Sequence, residues 1–499
     1  MKKRLLCLVI SICLIFAGTI GRIAYISISN NYLVSASYNS YVLNLETLYP
    51  TILYSDGEKL TNNSEKYVAV LRPNERTVSD LHNLFSSGEV HNISNELKNG
   101  YPLVKSIDER RKDNAKYIDV YAVNSSSYHA KQLISASSSG VLKYVKPYGE
   151  RNIKFHIDAL GRTLGGDSGE IFTETISKER GIVISLNKVV EDIAIEAAND
   201  LKSGCIVVMD VKTSSILSCV TKPDGSYINK AFEQYSVGSI FKLIVAVCAL
   251  ENDIDFYYTC KGKTTVGDTE YSCQKNNIHS FQDLKNALAN SCNCYFVNLA
   301  LELGSVKLTE TARKLGFYDD IKLYNEWSIK SANMPDKADL NSKGELALLG
   351  FGQGKLTSSP LQMCYALCTI ANGGMKNQVH FLLSSINDKG YKNKYIYKSE
   401  EHVLSGSTSV QMLKNMRYVV TNGTGKPAND TASKAAGKTA TAQTGRYFLG
   451  KEYLNTWFAG VYPYNSPKYA IVILCEDGKS GSEDCAPIYR YIVEKLNNI

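Results

Sequence analysis

The stretch Val237-Gly238-Ser239-Ile240-Phe241-Lys242, which opens the apolar run 243–250, decides how the rest of the chain is read. A serine at a helix start, with lysine three positions on, sets both side chains on one face about a turn apart. A hydroxyl whose own pKa lies far above neutral needs a nearby base before it attacks a carbonyl, and a partly buried lysine with a lowered pKa can serve. The positive end of the helix also favours an oxyanion forming near the serine amide. Alone the tetrapeptide is a weak signal, because a capping serine followed by a solvated lysine explains it in unrelated chains.

Working outward, Ser291-Cys292-Asn293 lies between the helical runs 281–289 and 295–303. A hydroxyl and a carboxamide two positions apart on such a loop can point together into a cleft, although an ordinary helix cap has the same composition. Further on, Gly437-Lys438-Thr439-Ala440-Thr441 precedes the strand-like run 457–462. Lysine and threonine alternating along an edge strand offer a cation and hydroxyls to a carboxylate, and a free edge pairs with an extended peptide.

These three points sit in one predicted domain. From about Gly181 the chain reads as a larger α+β domain: an amphipathic helix over 188–201, a buried strand over 205–209, a turn at 210–215 and a second hairpin strand over 216–220. Residues 29–180 read as a smaller mixed α/β domain, with strand-like runs at 67–71 and 117–121 among Ser/Asn-rich connections and no catalytic constellation. At the start, Lys2, Lys3 and Arg4 precede an apolar stretch from Leu5 to about Ile20, extended by 23–28 if Arg22 snorkels. This pattern predicts a single-pass anchor over 5–28, with residues 1–4 cytoplasmic and the remainder outside the cell. Val34-Ser35-Ala36 has the small residues of a cleavage site but lies well past the apolar core, so an uncleaved anchor is expected.

Composition narrows the classes. The 499 residues are 44% hydrophobic, enough for two cores outside the anchor and too apolar for a disordered stalk. A net charge of +7 spread along the chain, without a dense basic block or zinc-ligand spacing, argues against nucleic acid as a partner. Of 13 cysteines, Cys7 and Cys13 fall in the anchor, and most others sit in apolar runs, where cysteine behaves as a small buried hydrophobe. The spacing of Cys260 and Cys273 permits a loop-closing bridge without requiring one.

Taken in order and separation, the three motifs resemble those of the class B penicillin-binding proteins, the monofunctional D,D-transpeptidases of the bacterial cell wall. The hairpin 204–219, Asn229-Lys230-Ala231, Gly352-Gln353-Gly354, Ser359-Pro360-Leu361-Gln362-Met363 and Asn422-Gly423-Thr424-Gly425 extend the likeness over 181–499, and Asp158-Ala159-Leu160-Gly161-Arg162 carries it further back. The resemblance implies an antiparallel sheet with flanking helices, the fold shared with serine β-lactamases, standing on a non-catalytic pedestal of residues 29–180. It implies that Ser239 is the nucleophile, Lys242 its base, Ser291 a proton relay, Asn293 a peptide holder and Lys438 an electrostatic support. Thr439, Ala440 and Thr441 would form the substrate strand, with the amides of Ser239 and Thr441 as oxyanion hole. Implied partners are peptidoglycan stem peptides, lipid-linked or polymerised, β-lactams, a separate glycosyltransferase and other wall-synthesis proteins; no metal or diffusible cofactor is implied.

Two positions depart from the family pattern. Ala440 stands where a Lys-Thr-Gly motif has glycine, and its methyl faces either the cleft or the strand partner, depending on the pleat. The segment 51–57 lacks the arginines that relatives carry near the start. Other readings are a β-lactamase, which is usually one compact domain, a membrane sensor, which would need a cytoplasmic domain, and a transpeptidase-like scaffold without turnover. The complete Ser239, Lys242, Ser291, Asn293, Lys438 and Thr439 set weighs against the scaffold.

Overall fold

The structure, a computed structural model, describes residues 2–28, 40–128, 133, 140–157, 163–164, 167–224, 226, 228–324, 326–397 and 400–499. The segment 158–162, quoted above for its likeness, and 34–36 lie outside the described residues. The chain forms two compact units: one of Met1–Pro50, Asn62–Ser127 and Pro147–Lys178, the other of Thr51–Thr61, Tyr128–Lys146 and Glu179–Ile499.

In the first unit, a 27-residue helix spans Lys2–Ile28. The side chains of 2–8 and 26–28 are not among those described, and among the described residues no helix is long and apolar enough to cross a membrane. Strands Ser40–Leu48, Gly149–His156 and Glu170–Thr175 form one antiparallel sheet. Thr61–Leu71, between Leu103–Ile107 and Asp119–Tyr128, forms a second. Leu81 and Leu84 of the helix Glu75–Leu84, with Ile93 and Leu97 of the helix Ser87–Leu97, bury their apolar faces with Ala69 and Leu71 of that second sheet.

The second unit is built on five strands: β1 (Gly204–Asp210), β2 (Ile216–Lys222), β3 (Ala436–Phe448), β4 (Lys451–Tyr462) and β5 (Tyr469–Glu476), in the order β2-β1-β5-β4-β3. Every pairing in this sheet is antiparallel. Helices cover both faces, which is why β1 reads as an uninterrupted apolar run instead of alternating. On one face lie α1 (Lys188–Ala197) and the C-terminal helix Ala486–Leu496, whose Val190, Ala194, Ile492 and Val493 pack with Ile206, Phe458 and Ile471. Burying each large aliphatic side chain there contributes about 1.5–3 kcal/mol. On the other face lies the helix Pro360–Ala371, buried at all twelve positions and apolar at most of them, with Gln362 donating to the Leu315 carbonyl at 2.8 Å. Its Cys364 thiol donates to the Ala470 carbonyl of β5 at 3.3 Å.

Two local expectations change. The run 281–289 is not one helix: Ser280–Gln282 pairs as a strand with Tyr258–Cys260, and Asp283 caps a short helix, Leu284–Ala289, by accepting from the Asn286 amide at 2.7 Å. The nucleophile segment enters as a 3-10 turn, Gly238–Phe241, and becomes α2 (Lys242–Glu251) only at the lysine. Ser291 and Asn293 flank the start of α3 (Asn293–Lys314), which is capped by Cys292.

Candidate active site

Ser239 is held by close backbone approach. The Gly238 amide donates to the Gly352 carbonyl at 2.9 Å. Both glycines have positive φ, +60° and +79°, and a Cβ on Gly352 would lie 2.0 Å from the Gly238 carbonyl oxygen. Only glycine fits such a contact. On the sheet side, the Trp457 indole donates to the Ser236 carbonyl at 3.1 Å, fixing the approach to the turn. Ser239 itself is half-buried, and its hydroxyl has no hydrogen-bond partner among the described residues.

Next to it stands a pair of buried lysines. Lys242 and Lys438 are each 0% exposed. The Lys242 amine donates to the Asn293 side-chain oxygen at 2.7 Å, to the Ser291 carbonyl at 2.8 Å and to Ser291 Oγ at 3.3 Å. Lys438 donates to the same Oγ at 3.0 Å and to the Thr439 carbonyl at 2.8 Å. Ser291 reaches between them from a left-handed backbone, φ +52°, a conformation that costs a serine about 1–3 kcal/mol. Burial away from water disfavours both ammonium forms. It lowers Lys242 to about 8. Lys438 falls well below its ordinary value, through burial first and the charge of Lys242 second. A hydroxyl shared by two desolvated amines can pass a proton in either direction.

The edge strand β3 closes the site. The Thr439 hydroxyl meets that of Thr424 at 2.7 Å, and the Gly481 amide donates to the Thr441 hydroxyl at 3.4 Å. Ala440 pairs with Trp457 of β4 and lies on the same strand face as Lys438 and Ala442. That face meets the nucleophile turn, because a Cβ on Gly238 would touch the Ala442 methyl at 2.9 Å. The Ala440 methyl, 3% exposed, therefore points into the packed layer.

Ser239, Ser291, Asn293, Thr439, Ala440 and Thr441 line one cleft of about 890 Å³, and Lys242 and Lys438 stand in contact with its wall. Sequence reasoning missed two further walls, residues 272–277 and 480–483. The second carries a polar, small-residue run, and Ser482 donates to the Thr424 carbonyl at 2.9 Å. It also missed a cluster behind Ser291, where ligand atoms of Cys260, Cys273, His279 and Cys292 lie within 4.8 Å of one another. Cys260 and Cys273 are free thiols 3.7 Å apart, not a bridge.

The family described as penicillin binding protein transpeptidase domain matches residues 204–494. A peptidoglycan D,D-transpeptidase FtsI homolog of Mesostigma viride is 27% identical over 349 residues, 60% of this chain and 57% of that protein. A peptidoglycan D,D-transpeptidase MrdA of Haemophilus influenzae is 25% identical over 381 residues, 64% of this chain and 56% of that protein. The chain thus spans little more than half the length of these curated relatives. In fold it is similar to the D,D-transpeptidase domain of a peptidoglycan glycosyltransferase from Eggerthella lenta, with a TM-score of 0.64 and 21% identity, covering 91% of this chain and 99% of that one. With the family match running over more than half of its length, this chain belongs to the penicillin-binding protein transpeptidase family, as a class B member.

Proposed function

We propose that the protein is an acyl-serine D,D-transpeptidase that cross-links peptidoglycan stem peptides and is acylated by β-lactams. The observation that carries this reading is the convergence of two buried lysines on Ser291 at the wall of the cleft that Ser239 lines. Ser239 Oγ forms a bond to the carbonyl carbon of the penultimate D-Ala, and the C–N bond to the terminal D-Ala breaks. Lys242, brought to about 8 by burial, is partly neutral at neutral pH and takes the serine proton. Ser291, bonded to both amines, returns a proton to the leaving amine, while Asn293 holds the peptide. Lys438 keeps the Ser291 hydroxyl in line. Thr439 and Thr441 face the substrate carboxylate, and the Ser239 and Thr441 amides receive the oxyanion, a contribution of about 3–4 kcal/mol per donor. The amine of a second stem peptide then resolves the ester and regenerates Ser239.

The same reading assigns residues 181–499 to the transpeptidase domain, 29–180 to a non-catalytic pedestal, 5–28 to a membrane anchor and 1–4 to the cytoplasm. The anchor is supported by the helix Lys2–Ile28, about 40 Å long at helical rise against a hydrocarbon core of about 30 Å, and by the basic residues before its apolar stretch. A class B member makes no glycan strands itself, so the resemblance makes a separate glycosyltransferase the expected partner. Labelling the full chain in detergent with a fluorescent penicillin tests the chemistry. A stable adduct on the Ser239 peptide, absent in Ser239→Ala, is expected; unchanged labelling of that variant would remove Ser239 as nucleophile.

A further inference from the structure

We propose that Cys260, Cys273, His279 and Cys292 bind one Zn²⁺ as a tetrahedral Cys₃His site, which fastens the Ser291–Asn293 loop to the segment 260–279. The site does not depend on the acylation reading, although its value in positioning Ser291 does.

The distances are those of a coordination shell. A tetrahedral centre with metal–sulfur bonds of about 2.3 Å sets neighbouring sulfurs about 3.8 Å apart. Cys260 and Cys273 Sγ are 3.7 Å apart, Cys273 and Cys292 Sγ are 3.8 Å apart, and Cys260 Sγ is 3.6 Å from His279 Nδ1. The three cysteines are buried, at 0%, 2% and 0% exposure, so the site is closed on most sides, as structural zinc sites are. Three sulfurs and one imidazole form a soft donor set that suits zinc and disfavours magnesium or calcium.

The surroundings favour thiolates. The Gly262 amide donates to Cys260 Sγ and the Tyr295 amide to Cys292 Sγ, each at 3.4 Å. Gln282, 2% exposed, donates to the His279 carbonyl at 2.8 Å and accepts from Asn290 at 3.0 Å, tying the imidazole's backbone to the residue before Ser291. Cys294 touches Cys273 at 3.6 Å but falls outside the mutually close set, so it is a neighbour of the site and not a ligand.

Cys292 lies between Ser291 and Asn293 in sequence, so a metal on its sulfur anchors the loop that carries both. The same loop supplies every acceptor of the Lys242 amine. Zinc here acts through other residues and touches no reacting atom.

The test is metal analysis of the full chain purified in detergent under reducing conditions, before and after addition of Zn²⁺ alone. One zinc per chain is expected, falling below detection in Cys260→Ser and in His279→Ala and retained in Cys294→Ser. Co²⁺ loaded into stripped protein should show the visible bands of a tetrahedral thiolate site, and chelation should lower the melting temperature until Zn²⁺ restores it. The wild-type stoichiometry and the cobalt spectrum decide the matter even if a ligand variant fails to fold. No stoichiometric zinc after addition, a disulfide among these cysteines by mass spectrometry, or loss of zinc in Cys294→Ser would overturn the proposal. Penicillin labelling of the same samples keeps the two ideas apart. Labelled protein without metal sinks the zinc site alone, and metal-bound protein without label supports the site while counting against the acyl-serine reading.

Discussion

Lys242 shows how burial turns a common side chain into a base. With its stem and amine withdrawn from water and only neutral oxygens as acceptors, the ammonium form loses hydration that nothing fully replaces. Its value of about 8 sets the sign of a pH effect. Below that pH the amine is protonated and cannot accept the Ser239 proton; above it the free amine can. The acylation rate with a β-lactam should therefore rise with pH on a limb centred near 8. Lys242→Ala should abolish the limb and lower the rate by about 10²–10⁴-fold, the usual worth of a general base. A flat stopped-flow profile between about pH 6 and about pH 10, on both sides of the lysine, would place the proton acceptor elsewhere. Ala440 is a residue-scale departure whose direction sequence left open; register puts its methyl against the nucleophile layer, on the face of Lys438.

Elements meet at contacts that tolerate no side chain. The turn Gly238–Phe241 reaches the edge of β3 on one side and Gly352 on the other, and a Cβ at Gly352 would collide with backbone that has no flexible end to yield. Gly352→Ala should thus cost about 1–3 kcal/mol in denaturant unfolding, by strain at φ +79° alone, and depress penicillin labelling more than stability, because the displaced turn carries Ser239. A variant with full labelling would mean that the turn relaxes without moving the serine. The helix Leu284–Ala289 makes a different point at this scale. An apolar run beginning at Phe281 reads as helical, yet Phe281 is exposed and belongs to a strand, because Asp283 caps the helix two residues later.

Across the whole second unit, stability rests on a sheet covered on both faces. Ile471 in β5 is fully buried between these layers, so Ile471→Ala should cost about 2–5 kcal/mol. Its effect should appear as a lower denaturation midpoint with Ser239 still labelled in the folded protein, since Ile471 pairs with Val208 and Gly460 and packs in the core with α1 and the C-terminal helix. The excursion of Thr51–Thr61 into this unit arises from a parallel pairing of Thr51–Leu53 with Gly181–Val183, a contact between segments far apart in sequence. No local pattern announces it, because a three-residue strand carries almost no periodic signal.

By itself the sequence determined the α+β character of residues 181–499, the opening hairpin and the three motifs whose order resembles a penicillin-binding protein. Each rests on residues close together in the chain, where hydrophobic period, turn residues and fixed spacing are legible. Tertiary structure alone decided that Ser291 is shared by two buried lysines, one of them 147 positions away, and that the Ala440 methyl turns inward. It also brought Cys260, Cys273, His279 and Cys292 to one point, although their spacing matches no familiar zinc pattern. Burial and ligand geometry are properties of segments packed together in space, and a linear pattern records neither the desolvation that lowers an amine nor the distances that make four side chains a metal site.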